Sequence, residues 1–334
     1  MAARSTKVAM RAVRTVFGRD SAVERWARDR YLENRRSEVR FEKGDGWVQI
    51  NGATFVIVSE SPDLPEPRRG ILLRGGCDLP STYTAAPLMR SGIEGTVAIY
   101  RQLGGTGSHR SDQLLQTLDG IDLANVQDAM EKLELRQPYF EPIMFQPDFE
   151  IRRHPQAGRF PTTAVVMSIA QDEVRQLYRH KEHGYVVDPG GWWLNQDLGR
   201  VLDDLSAVEW FREHFTKIGR LSIEQSVANN KRVIDELRSR IGAKVVFYNT
   251  MVIDPGSTVH NYQWLNAAHA ARRREFAIAL AEMSADLDFP VVDIDRLLKS
   301  EGVKEQVDFA HFPVERMQPI GAEFHRIIRD LGIV

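Results

Sequence analysis

The 334-residue chain reads as an α/β protein of the doubly wound kind: a five-stranded, mostly parallel sheet in a three-layer sandwich, with a small N-terminal helix and β-hairpin appendage. Two observations predict this. Short β-rich runs at residues 71–73, 96–100, 164–169, 244–248 and 290–294 alternate with longer helical patterns, as in a parallel sheet covered on both faces. The clearest helical patterns, at 201–217, 222–241, 264–287 and 321–331, mostly lead into a strand or the chain end, as right-handed crossovers require.

Taken in order, residues 1–40 carry eleven Lys or Arg against five Asp or Glu, so the basic excess is local in a chain of net charge −2. Val8, Ala12, Val13, Val16 and Phe17 recur at helical spacing between Lys7, Arg11, Arg14 and Arg19. That face suits an anionic membrane surface or a protein partner, or simply a solvated helix docked on its own protein. Aromatic residues are not interleaved with the basic ones, so nucleic acid is not expected as a partner. Residues 39–58 then read as antiparallel strands separated by Lys43-Gly44-Asp45-Gly46 and Asn51-Gly52. The Pro-rich stretch 61–67 marks a boundary between an appendage at 1–67 and an α/β domain at 68–334.

Composition, at 43% hydrophobic and 27% charged, is that of an ordinary globular chain. A single cysteine excludes an internal disulfide and a Cys-rich zinc site. No apolar run reaches the ~18 residues of a membrane span. The first 20 residues lack the apolar core of a secretory signal, so a cytoplasmic location is expected.

The residues that carry chemistry fall where strands end. Asp308-Phe-Ala-His311 places a carboxylate and an imidazole three residues apart, so one fixes the tautomer of the other while the second ring nitrogen faces a nucleophile. Far upstream, Ile71-Leu72-Leu73 runs into Arg74-Gly75-Gly76-Cys77-Asp78, with the only cysteine in the turn. In open parallel sheets ligands bind outside the carboxyl ends of the strands. Residues 75–78, 102–108, 171–172, 249–255 and the loop holding Asp308 and His311 each follow one of the five strands, so five loops are expected to converge on one crevice.

In this order the chain resembles the SGNH or GDSL hydrolase superfamily, on Asp308-x-x-His311, Pro319-x-Gly321 opening the last helix, and the glycines of Leu103-Gly104-Gly105-Thr106-Gly107. The resemblance runs from about Gly70 to the C-terminus and implies the three-layer fold of that superfamily. Two motifs depart from it. Gly75-Gly76-Cys77 stands where the family has Gly-Asp-Ser, which resembles a cysteine branch that includes proposed polysaccharide-biosynthesis acyltransferases. Ser168-Ile169-Ala170-Gln171-Asp172 lacks the glycine of the family's Gly-x-Asn-Asp and puts Gln171 at the asparagine.

The resemblance implies Cys77 as nucleophile, His311 as base and Asp308 as its orienting carboxylate, with the Cys77 N–H, Gly104 or Gly105, and Gln171 facing the oxyanion. Arg74, Asp78, Asp172 and Asn249 are expected at the substrate. The chemistry would be acyl transfer or ester hydrolysis through an acyl-thioester, on a glycan or related small molecule. No tightly bound cofactor and no metal are expected, with acetyl-coenzyme A or another acyl-coenzyme A as candidate donor. A catalytically degenerate binding or scaffolding module is the alternative, and the sequence leaves the oligomeric state open. His180 and His183 suit a metal-binding pair on a helix or a polar helix end. Trp192-Trp193 suits a sugar-stacking platform or a core position.

Overall fold

The computed structural model describes Val23 and residues 41–44, 47–50, 53–57, 69–75, 79, 96–100, 109–133, 135, 137–151, 158–190, 198–202, 204–252, 267–300 and 314–333. Its strands are β1 (Phe41–Gly44), β2 (Trp47–Ile50), β3 (Ala53–Ile57), β4 (Arg69–Arg74), β5 (Thr96–Tyr100), β6 (Asp148–Ile151), β7 (Gly158–Ser168), β8 (Leu177–His180), β9 (Val186–Val187), β10 (Phe215–Gly219), β11 (Lys244–Tyr248) and β12 (Val291–Val292). Its helices are α1 (Ser111–Asp119), α2 (Gln127–Lys132), α3 (Ala170–Val174), α4 (Leu198–Val201), α5 (Leu205–His214), α6 (Ile223–Ile241), α7 (Ala267–Leu287), α8 (Ile294–Ser300) and α9 (Val314–Asp330).

All five strands expected of the α/β unit form, and they lie in the order β5-β4-β7-β11-β12 with every neighbouring pair parallel. Numbered by appearance this is 2-1-3-4-5, the flavodoxin-like order, which reverses direction between β4 and β7. Register carries Leu72 opposite both Ile99 and Val165, and Val165 opposite Val245. Alternation along these strands makes the layers. Leu72, Val165, Val245 and Phe247 pack with Leu114 of α1, Val233 and Leu237 of α6 and Phe276 and Leu280 of α7. Ile71, Leu73, Val166, Val246 and Tyr248 point the other way, onto Leu298 of α8 and Ile320, Phe324, Ile327 and Ile328 of α9.

The antiparallel strands at the N-terminal side continue this sheet. Register leaves two residues between β1 and β2 and two between β2 and β3, the loop length that Asp45-Gly46 and Asn51-Gly52 favour. β3 then pairs antiparallel with β5, Phe55 opposite Ile99, so the order runs β1-β2-β3-β5-β4-β7-β11-β12. β6 adds to the first half of β7 as an antiparallel hairpin.

Helix ends follow local chemistry. Ser222 caps α6 by accepting from the Gln225 N–H at 3.1 Å, while the Gln225 side chain accepts from the Ser222 N–H at 3.0 Å. Gly242 ends that helix in the left-handed region at φ 65°. The helix expected at 201–217 divides instead into α4, α5 and β10. Asp204 caps α5 by accepting from the Ser206 N–H at 2.8 Å. Beyond His214 the buried Phe215 and the β-branched Thr216 pair with β8, with Ile218 at a register shift, giving a three-stranded sheet β10-β8-β9. Its core is a separate cluster that includes Tyr139, Phe140, Tyr178, Tyr185, Phe211 and Phe215.

Two further expectations change at the C-terminal side. Strand 290–294 is shorter, because Ile294 opens α8, which stands between β12 and residue 301. Pro319 lies inside α9 rather than at its start. Near the beginning of a helix the missing N–H costs one bond, and Ile320, Phe324, Ile327 and Ile328 keep the buried face continuous beyond it.

Candidate active site

The reversal between β4 and β7 is where a doubly wound sheet opens a crevice at its carboxyl edge. β4 ends there at Arg74, and Gly75 bends the chain against β7. A Cβ on Gly75 would stand 2.8 Å from Leu79 Cγ and 3.0 Å from Ser168 Cβ, so only glycine fits the approach. Leu79 is helical and buried. The described residues nearest Cys77 are therefore a strand end and a bend before it and a helical residue after it. Cys77 and Asp78 lie outside the described residues, as do Gly104, Gly105, Asp308 and His311. The same holds for the basic segment at residues 8–17, for Trp192-Trp193 and for residues 253–255.

The described residues at this edge of the sheet centre on Asp172. This carboxylate is fully buried in α3, directly beyond β7. It accepts from the Ser111 N–H at 2.8 Å, the Ser111 hydroxyl at 2.6 Å, the Ser226 hydroxyl at 2.6 Å and the Asn230 amide at 2.9 Å. Arg74 Nη2 adds an ion pair at 3.3 Å. The Ser111 N–H belongs to the first turn of α1, so Asp172 also sits at the positive end of that helix. A buried carboxylate is tolerable because its lone pairs are filled and a cation faces it.

Arg74, fully buried too, donates from Nε to the His109 carbonyl at 2.8 Å, and its Nη2 reaches the same oxygen. Burial pulls its pKa down, and the Asp172 charge opposes that. His109 follows directly on the glycine-bearing loop at 102–108, so this bond ties the end of that loop to the end of β4. Its ring stands edge-on to Tyr139 at 4.4 Å. Burial first, and the charges of Arg74 and Arg175 second, push its pKa down to about 3, so the imidazole is neutral at neutral pH.

The remaining loops join through two more side chains. Asn249, at the end of β11, donates to Asp293 at 2.7 Å and accepts from the Ile294 N–H at 2.7 Å, locking the β11 loop to the β12 loop. Glu173 accepts from the Thr250 hydroxyl at 2.8 Å and pairs with Arg273 of α7 at 3.4 Å, which links the β7 and β11 loops. Arg74, His109, Asp172, Glu173, Asn249 and Thr250, which flank or begin four of the expected loops, are thus connected at one edge of the sheet; residues 102–108 and 301–313 lie outside the described residues.

The structure describes four of the expected site residues. Arg74 and Asp172, expected at the substrate, are fully buried and bonded to each other and to the chain. Asn249 spends both ends of its amide on the β12 turn. Gln171 is buried in the first turn of α3. Sequence reasoning missed Ser111, Glu173, Ser226 and Asn230. Ser226 and Asn230 did leave a signal: they are polar, one helical turn apart, and in line with the apolar face of Val233, Ile234 and Leu237, which calls for a buried polar partner.

His180 and His183 do not share a helix. His180 ends β8 and His183 lies in the following turn, the rings stacked at 4.8 Å with Tyr185 beyond. His180 Nδ1 accepts from the His183 N–H at 3.1 Å, so that nitrogen serves the turn. Among the described residues no group of three or more His, Cys, Asp or Glu side chains is placed to hold a metal ion.

The molecule is therefore a doubly wound α/β protein, with a network of buried polar residues at the carboxyl edge of the β4–β7 switch point and a glycine bend two residues before its only cysteine. No protein-family model and no curated protein sequence matches it. Among solved structures, it is similar to an extracellular lipase from Streptomyces rimosus at 12% identity and a TM-score of 0.35, over 77% of this chain and 99% of that one. It is also similar to a variant of an acetyl-xylooligosaccharide esterase from Geobacillus Stearmophilus at 10% identity and a TM-score of 0.38, over 78% and 94% of the two chains. A phospholipase A1 from Streptomyces albidoflavus NA297 is similar at 10% identity and a TM-score of 0.37, over 77% and 99%.

Proposed function

We propose that the protein transfers or hydrolyses acyl groups through Cys77, with His311 as base and Asp308 as the carboxylate that orients it. The observation that supports this best is the bend at Gly75, which lies at the switch point of the sheet two residues before Cys77 in the sequence, between a buried strand and a helical Leu79. The Cys77 thiol gives its proton to His311 and the thiolate attacks the carbonyl of an ester or thioester. The leaving alcohol or thiol takes that proton as the tetrahedral intermediate collapses to an acyl-thioester. Water, or the hydroxyl of a glycan or related metabolite, then attacks the thioester, gives its proton to His311 and releases the thiol. A backbone N–H at Cys77 and one at Gly104 or Gly105 face the oxyanion, with Gln171 as the side-chain candidate. An acyl-coenzyme A suits the donor role because exchange between thiol and thioester is nearly isoenergetic.

The test is intact-mass measurement after incubation with acetyl-coenzyme A, and separately with an activated acetyl ester. The wild type gains one acetyl group, Cys77→Ala gains none, and His311→Ala gains it more slowly. An unlabelled wild type whose Cys77 also resists a small alkylating reagent would overturn the reading. The second reading is a binding or scaffolding module that keeps the fold without turnover. It is favoured by the structural use of Arg74, Asp172 and Asn249, and Cys77-independent metabolite binding without any acyl adduct would establish it.

A further inference from the structure

Four arginines gather beside the β7 loop: Arg110, Arg220, Arg272 and Arg273. Arg272, on α7, donates from Nε to the Glu173 carbonyl at 2.9 Å and from Nη2 to the carbonyls of Asp172 at 3.2 Å and Leu221 at 2.7 Å. Its guanidinium lies 4.4 Å from the centroid of the Phe276 ring. All its hydrogen-bond partners among the described residues are backbone carbonyls, so no carboxylate is bonded to it and Nη1 is left over, while the more distant Glu173 and Asp172 charges favour its cation. Arg110 reaches the same corner, donating to the Gly219 carbonyl at 2.7 Å, but Asp112 neutralises it. Arg273 is paired with Glu173.

Arg220 lies in the chain between Gly219 and Leu221, whose carbonyls Arg110 and Arg272 hold, and it has no hydrogen bond or ion pair among the described residues although it is half-buried. Its Nε is buried without a partner. Burial lowers its pKa, and the Glu173 charge offsets this only in part. Burial first and the Arg220 charge second lower that of Arg272. Two neighbouring cations, each partly desolvated and neither matched to a carboxylate, are costly in an empty protein and favourable around a dianion. The 19-residue helix α6 starts three residues beyond Arg220 and its N-terminus adds positive potential, with Glu224 of its first turn on the exposed side.

We propose that Arg220 and Arg272 form a binding site for a phosphate group at the carboxyl edge of the sheet, beside the β7 loop. Arg220 supplies its free guanidinium and Arg272 its Nη1, while the three carbonyls hold the Arg272 plane in place. Two cations favour a phosphate dianion over a single carboxylate. This site involves neither Cys77 nor His311, so it stands or falls separately from the acyl chemistry.

The experiment titrates the full-length protein with inorganic pyrophosphate, by calorimetry and by thermal melting, against sodium chloride of equal ionic strength. Pyrophosphate raises the melting temperature of the wild type saturably beyond the salt control. Arg220→Met binds it at least tenfold more weakly, yet melts no lower than wild type without anion, because an unpaired, half-buried charge has been removed. Arg220→Lys binds with intermediate affinity, and Arg240→Met, on the exposed side of α6, binds as the wild type does. The proposal is overturned by a wild type that responds only as it does to salt, by an Arg220→Met protein that keeps its affinity or fails to fold, or by succinate binding as tightly as pyrophosphate. A parallel titration with coenzyme A separates the sources. Tighter, Arg220-dependent binding of coenzyme A assigns the phosphate to a larger ligand, and tighter binding of pyrophosphate assigns the site to a free anion.

Discussion

His109, whose carbonyl Arg74 holds, has both ring nitrogens buried with no hydrogen-bond partner among the described residues. The folded protein keeps this imidazole neutral down to about pH 3, whereas an unfolded chain protonates it near the ordinary 6.5. The unfolded state therefore takes up the proton first, and the stability due to neutral His109 is complete above pH 6.5 and is lost as pH falls toward 3. Replacing His109 by Phe removes the titration and two unsatisfied polar atoms while keeping the edge-on contact with Tyr139. Urea unfolding at pH 7 and pH 5 should show the variant gaining about 2 kcal/mol on the wild type over that interval. Equal pH dependence in the two proteins would mean that the imidazole reaches solvent. Asp172 belongs to the same scale: read along the sequence it is one acidic residue after a strand, and only its four donors and Arg74 make it the tie between α1, α3, α6 and β4.

The element that matters most for the site is the bend from β4 into the turn of Cys77. Its shape comes from the absence of a side chain at Gly75, which lets Leu79 and Ser168 close against the backbone. Gly75→Ala should cost about 1–3 kcal/mol in urea unfolding, as an overpacked core position does. In the Leu79→Ala background the same change should cost less, since the obstructing side chain is gone. Additive costs in that double-variant cycle would place the strain elsewhere. Elements also show where local pattern was a poor guide. The run at 201–217 has helical periodicity, yet Phe215 stacks on Phe211 at 4.5 Å and the chain leaves the helix to pair with β8. Pairing with a strand distant in sequence decides that outcome, and local propensity does not report it.

At the scale of the whole molecule, the sheet is continuous from the β1–β3 meander to β12. β3 is what covers the outer edge of β5. A chain beginning at residue 64 would leave the backbone N–H and C=O groups of Thr96–Tyr100 unpaired along that edge. Such a truncation should self-associate, and light scattering behind size exclusion should show its mass rising with concentration while the full chain stays constant. A truncated protein that keeps the full chain's oligomeric state would mean that another segment covers the edge. No helix among the described residues is long and apolar enough to cross a membrane.

By itself the sequence determined the five central strands, the long helices α6 and α7 and the doubly wound class, because these follow from periodicity and from caps such as Ser222 and Gly242. It also marked Gly75, since a glycine pair at a strand end is a local signal. Only the tertiary structure decided the roles of the polar residues at the carboxyl edge. Arg74, Asp172 and Asn249 have the residue types and positions of ligand contacts, and tertiary packing closed them into hydrogen bonds with α1, α6 and the β12 turn. It also left the buried Arg220 Nε without an acceptor among the described residues, which no pattern along the chain could show. The physical reason is the same in each case: periodicity and capping act between residues a few positions apart, while the pairing of a buried charge is settled by groups far away in sequence.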